Sequence, residues 1–224
     1  MMLNSIEAEK LLKKDVILSP GDLEKPENRW VKHCLNVGEA AERIAKKLNL
    51  DSDFAKSAGY LHDVGRKFNH PQHVIYGYNY LSSIGYEELA RYCLTHSFID
   101  NDINLVAGGI LPEEAQMQLL PYLESHKCNI YDNIIQLCDL FCLETGFTTI
   151  EKRLLDIYNR KGVFSNTPEH FKRAISLKQN IETLMGCELY SLFPEISDKE
   201  KASSKADYEQ IESLLKEQNV KAII

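Results

Sequence analysis

The sequence predicts an all-α protein, a single multi-helix domain with a short amphipathic helix appended at its C-terminus. Three observations predict it. Apolar residues recur at three- and four-residue spacing in nearly every segment, alternating β-branched runs are absent, and most segments begin and end on recognisable cap residues. Hydrophobic residues make up 44% and charged residues 26% of the 224, the balance of a soluble chain able to bury a core.

The elements follow in order. A short helix opens near Ser5, with Asn4 and Glu7 placed as a reciprocal capping pair. The next follows Pro26 and Asn28 and runs to about Leu48. A third starts at Asp51–Asp53 and leads into "GYLHDVGRKF", residues 59–68. Helical spacing continues from His73 to Ile84, where Gly85 stops it, and from Tyr86 to His96. Residues 112–126 and 131–144 read as helices. Thr148 with Glu151 is expected to cap 149–161, which Gly162 ends. Thr167-Pro168 opens 168–185, with proline at the first position and Gly186 beyond the end. From Ser197, "SDKEKASSKADYEQ" reads as a solvated connector, and Tyr208, Ile211, Leu214 and Leu215 as an amphipathic helix docking on the body. The boundaries drawn are 1–196 for the main domain and 197–224 for the appendage, with no internal repeat.

Composition excludes several classes. A net charge of −7 opposes the counterion release that drives binding to nucleic-acid polymers. No apolar run approaches the roughly 20 residues of a membrane helix. The start, "MMLNSIEAEKLLKK", has no signal-peptide core, so a cytoplasmic location without membrane contact is expected. The cysteines (34, 93, 128, 138, 142 and 187) are scattered and read as free interior thiols. Cys138 and Cys142 share a helix face, with packing favoured over metal binding. "VAGGI", 106–110, lacks the spacing and lysine of a phosphate loop.

Histidines then stand out. His33 lines up with Val37 and Ile44, and His62 with Ala55 and Ala58. His73 begins the series Tyr76, Gly77, Tyr80, Leu81 and Ile84, and His96 ends Leu89, Tyr92 and Cys93. One such ring is ordinarily a hydrogen-bonded core residue. Four on four helices demand four buried polar partners. Carboxylates sharpen the pattern. Asp139 is the one charge in "IIQLCDLFCL", 134–143, expected in mid-helix with no basic residue a turn away, and Asp63 adjoins His62 at a helix end. An unpaired buried carboxylate costs several kcal/mol. Imidazoles and carboxylates turned to one interior make a cage for a divalent cation.

His33, the doublet His62-Asp63 and the distant Asp139 in "LCDLF" resemble the H…HD…D signature of the HD-domain superfamily of metal-dependent phosphohydrolases, over roughly residues 28–145. The resemblance implies an all-α fold in which those four residues bind one metal. His73 and His96 match the two histidines that two-metal members add, a pattern similar to the bacterial branch cleaving dinucleoside polyphosphates. His70 competes with His73, and His126 with His96. The long connection after His96 is either a lid or a surface excursion.

With that ligand set, Asp63 is the natural bridge between two ions and Asp139 a proton acceptor. Arg66 and Lys67 are placed to meet phosphate, with a solvated pair at the helix end the competing reading. Arg29 could reach the same pocket, and Tyr76 and Tyr80 could stack on a base. The cofactor expected is one or two divalent ions, iron, manganese, nickel, cobalt, zinc and magnesium not being separable. The function expected is hydrolysis of a phosphate ester or anhydride of a small phosphorylated molecule, a nucleotide first, by metal-activated water. A di-iron oxygenase with the same ligands and a non-catalytic nucleotide sensor are the alternatives. A homodimer is left open.

Overall fold

The structure is a computed structural model. It describes the chain except residues 1, 2, 20, 69–71, 108, 110 and 222–224, and from 217 onward the backbone alone. His70, the alternative to His73, therefore lies outside the described residues. The helices are α1 Ser5–Lys13, α2 Arg29–Lys47, α3 Ser52–Leu61, α4 His73–Ser83, α5 Glu87–Thr95, α6 Glu113–Ser125, α7 Ile130–Asp139, α8 Ile150–Lys161, α9 Thr167–Met185 and α10 Asp198–Lys221. Between α7 and α8, β1 Cys142–Leu143 pairs with β2 Gly146–Phe147. The all-α expectation holds. No helix among the described residues is long and apolar enough to cross a membrane.

Contacts divide the chain into two compact units, one of residues 1–97 with 128–146 and another of 98–127 with 147–224. In the first, Val37 and Ile44 of α2, Ala55, Ala58 and Leu61 of α3, and Ile134 and Leu137 of α7 form a fully buried core. Starts are set locally. Asn4 and Glu7 form the expected capping box, and Asp51 accepts the Phe54 amide at the head of α3. A second, unexpected box, Asn129 with Asp132, opens α7.

Helix α7 ends earlier than expected, at Asp139 rather than 144, so Asp139 closes a helix instead of sitting within one, and Cys142 leaves the helix shared with Cys138. Two tight bonds, Leu140 N to Leu137 O (3.1 Å) and Phe141 N to Cys138 O (3.2 Å), finish the last turn. Gly146 then takes a φ of 129°, open to glycine, and turns the chain into the two-stranded ladder. Side chains of α2 engage the carbonyls beyond the turn. Asn36 Nδ2 donates to Leu143 O at 2.6 Å, and His33 Nδ1 to Cys142 O at 3.2 Å.

In the second unit two expectations are corrected. Thr149, not Thr148, caps α8, accepting the Lys152 amide, while Glu151 binds the Tyr190 hydroxyl at 2.8 Å. The connector from Ser197 is not a loop but the first turns of α10. Ser197 accepts the Glu200 amide on its hydroxyl and the Lys201 amide on its carbonyl, so it acts as the cap. Thr148 and Lys152 reach Glu200, and Tyr208 rests on Phe171 with ring centroids 5.1 Å apart. The charges cover a helical face that propensity alone did not separate from coil. Asn166, Pro168 and the left-handed Gly186 bound α9 much as expected.

Candidate metal centre

All six predicted ligands belong to the first unit, and the structure brings them together. His33 comes from the second turn of α2, His62 and Asp63 from the junction of α3 with the 3₁₀ turn Val64–Lys67, and His73 from the first residue of α4. His96 caps α5 and Asp139 closes α7. Asp63 leaves helical geometry at φ −107°, ψ 11°, which lets the doublet present both side chains at the helix end.

Among the described residues two groups made of histidine and carboxylate alone result, and a third, Cys34 with His62 and Asp63, overlaps both. His33, His62 and Asp139 form one, and Asp63, His73 and His96 the other, the donor atoms of each within 4.8 Å of one another. In the first, Asp139 Oδ1 is 2.9 Å from His33 Nε2 and 3.9 Å from His62 Nε2. In the second, Asp63 Oδ1 is 3.0 Å from His73 Nε2 and 3.4 Å from His96 Nε2. The other oxygen of Asp63, Oδ2, faces His62 Nε2 at 3.8 Å and accepts from Arg66 Nε. One carboxylate thus serves both groups.

The imidazoles are oriented by the backbone. Nδ1 of His62 donates to Gly59 O at 2.7 Å, that of His33 to Cys142 O, and that of His96 to Tyr92 O at 3.0 Å. A carbonyl acceptor places the proton on Nδ1 and leaves the Nε2 lone pair facing inward, the tautomer a cation requires. Burial pushes the His62 pKa down to about 3, so the ring is neutral. Burial alone would raise Asp63, but the His73, His62 and Arg66 groups around it hold it well below the usual carboxylate range. Asp139, 30% exposed, is likewise held low against burial, chiefly by His33. For His96 the Asp63 carboxylate outweighs burial and raises the pKa.

The donor set fits a divalent cation. His62 Nε2 is fully buried and, among the described residues, makes no hydrogen bond, and Asp63 Oδ1 likewise lacks one. Such unsatisfied groups cost about 1–3 kcal/mol each unless something fills the space between them.

The remaining candidates fall outside the ligand set. Lys67 extends over the rings of Tyr80 (4.2 Å) and Phe68 (5.1 Å), and burial lowers its pKa. Tyr80 is therefore committed to that stack, whereas Tyr76 stands exposed, as does Arg29. His126 belongs to the second unit, where its ring stacks on Tyr122 at 4.0 Å. His96 is the one grouped with Asp63 and His73.

Sequence reasoning missed two kinds of residue. Glycines let the ligand-bearing helices meet. A Cβ on Gly59 would stand 2.6 Å from Gly38 Cα, and one on Gly65 only 2.0 Å from His73 O. The signal was present in "NVGEAA", "AGYL" and "HDVG", where glycine interrupts helical text without a turn. The second is Cys34, buried beside His62 and Asp63. Burial and the Asp63 charge push its thiol pKa well up, and its sulfur lies within 4.8 Å of donor atoms of both.

A family model described as HD domain matches residues 30–142. That span contains all six predicted ligands. No curated protein and no solved structure matches the chain.

Proposed function

The chain belongs to the HD-domain family, and from that premise we propose that it is a metal-dependent phosphohydrolase acting on a small phosphorylated molecule, a nucleotide foremost. The observation that carries the reading is Asp63, whose two oxygens face separate histidine groups. His33, His62 and Asp139 would hold one ion, and His73 and His96 a second, with Asp63 shared. Divalent ions so placed supply Lewis acidity to an attacking water and to the phosphoryl oxygens.

The chain's own residues do the rest. The backbone carbonyls of Gly59, Cys142 and Tyr92 hold three imidazoles in register. Asp139, ionised and partly open to solvent, is placed to receive the proton that the water loses. Arg66, anchored on Asp63, would meet the charge of an arriving phosphate, with Lys67 behind it. Among phosphate anhydrides, dinucleoside polyphosphates are the first class to test.

Phosphate release should be followed over a panel of nucleoside mono- and polyphosphates with manganese, iron, nickel, cobalt, zinc or magnesium. His62→Ala and Asp63→Ala are expected to lose more than about 100-fold in turnover, beyond the usual effect of losing a ligand's supporting partner. Undiminished release in either variant would dismiss the reading. Oxygen uptake without phosphate release would replace it with oxidative chemistry.

A further inference from the structure

The first unit also carries a groove of about 480 Å³, between the α1–α2 connection with the first turn of α2 and the turn at 66–68. Small-molecule sites span about 300–1,000 Å³, so the space suits a ligand rather than a few waters. Trp30, Phe68, Arg66, Lys67, Asp15 and Glu27 are among its walls. Arg66 belongs to both places, since it lines the groove and its Nε donates to Asp63. The groove therefore starts one side chain away from the ligands.

Two properties of the walls select an occupant. First, Phe68 is 51% exposed yet held in place, its ring 5.0 Å from Tyr80 and the Lys67 amine lying over both rings. An aromatic face kept open and pre-positioned is expensive in water and useful to a flat partner. Trp30, half-buried, gives the same groove a second aromatic wall. Second, the charges nearly cancel. Asp22, also on the wall, is occupied by Lys25 at 2.7 Å and by the Leu18 and Ser19 amides at 2.8 Å. Asp15 and Glu27 offset Arg66 and Lys67. A polyanionic chain gains little there. A neutral heterocycle gains two π surfaces, and its amino and hydroxyl groups gain carboxylate acceptors.

We propose that this groove holds the nucleoside end of a nucleotide whose phosphate lies at the Asp63 centre, with Trp30 and Phe68 stacking on the base. This rests on the phosphohydrolase reading and narrows its substrate class to molecules carrying a base.

Trp30 is the single tryptophan, so its emission reports on the groove directly. The full chain is titrated with adenosine monophosphate and with ribose 5-phosphate, which keeps the phosphate and sugar but lacks the base. Saturable quenching by the nucleotide alone is expected. Phe68→Ala, an exposed position, should lower the preference for the nucleotide over ribose 5-phosphate about tenfold, in affinity and in turnover. Equal affinity for the two ligands, or a preference unmoved by Phe68→Ala, would overturn the assignment. The two readings fail separately. Quenching without phosphate release from any substrate upholds the groove and removes the hydrolase, whereas equal hydrolysis without quenching does the reverse.

Discussion

Replacing Gly65 by alanine should empty half of the centre without touching a ligand. Gly65 lies in the 3₁₀ turn Val64–Lys67, where backbone angles suit alanine, and in an open site the change would stabilise by about 0.4–1 kcal/mol. Here the added Cβ would stand 2.0 Å from His73 O and 2.4 Å from Gly77 N. Both atoms are backbone of α4, so no rotamer change relieves the clash. Ordinary contact begins at 3.4 Å, so the first turn of α4 must retreat by about 1.4 Å. His73 rides on that turn, 3.0 Å from Asp63 Oδ1, and metal–ligand distances tolerate only about 0.2 Å. On the proposed two-ion reading, the His73 group should lose its ion while His33, His62 and Asp139 keep theirs, and stability should fall by about 1–3 kcal/mol. Elemental analysis of protein purified without chelator would read two equivalents in the wild type and one in Gly65→Ala. Gly21→Ala, whose Cβ meets nothing within 4 Å, is the control and should change neither. Two full equivalents in Gly65→Ala would refute the steric argument.

Two further predictions concern stability. Asp132 is fully buried and accepts from Arg91 Nη2 (2.6 Å), Thr95 Oγ1 (2.8 Å) and the Asn129 amide (2.7 Å), so Asp132→Ala should cost about 3–5 kcal/mol in urea unfolding. A loss below about 1 kcal/mol would show that the network contributes little. Burial lowers the His170 pKa from 6.5 to about 4, beside the Tyr158 hydroxyl at 3.0 Å. The unfolded chain then binds more protons between those values, so stability present above pH 6.5 is lost as pH falls towards 4, by about 3 kcal/mol. Unfolding curves of His170→Gln should lack that slope, and an unchanged slope would assign it elsewhere.

The helices could be read because their signals are local. Asn4, Asp51, Gly85, Gly162 and Gly186 each act within a turn of themselves, and period alone separates helix from strand. Where the signal was not local, the reading slipped. The end of α7 at Asp139 depends on Gly146 and on partners that His33 and Asn36 provide from another helix. The 197–207 segment looked like coil because its charges conceal the partners Thr148 and Lys152, which lie far off in sequence.

By itself the sequence marked the candidate ligands, since imidazoles and carboxylates repeated on apolar stripes all require polar partners, while leaving His70 and His126 as competitors of His73 and His96. It also determined that helices would carry them. The tertiary structure decided what each oxygen faces. That Asp63 serves both histidine groups, that Arg66 leans on it, and that Phe68 stays open beside Lys67 and Tyr80 follow from helix approach distances, which the glycines at 38, 59 and 65 permit. Such distances are sums of contacts between residues remote in the chain, and local spacing carries no record of them.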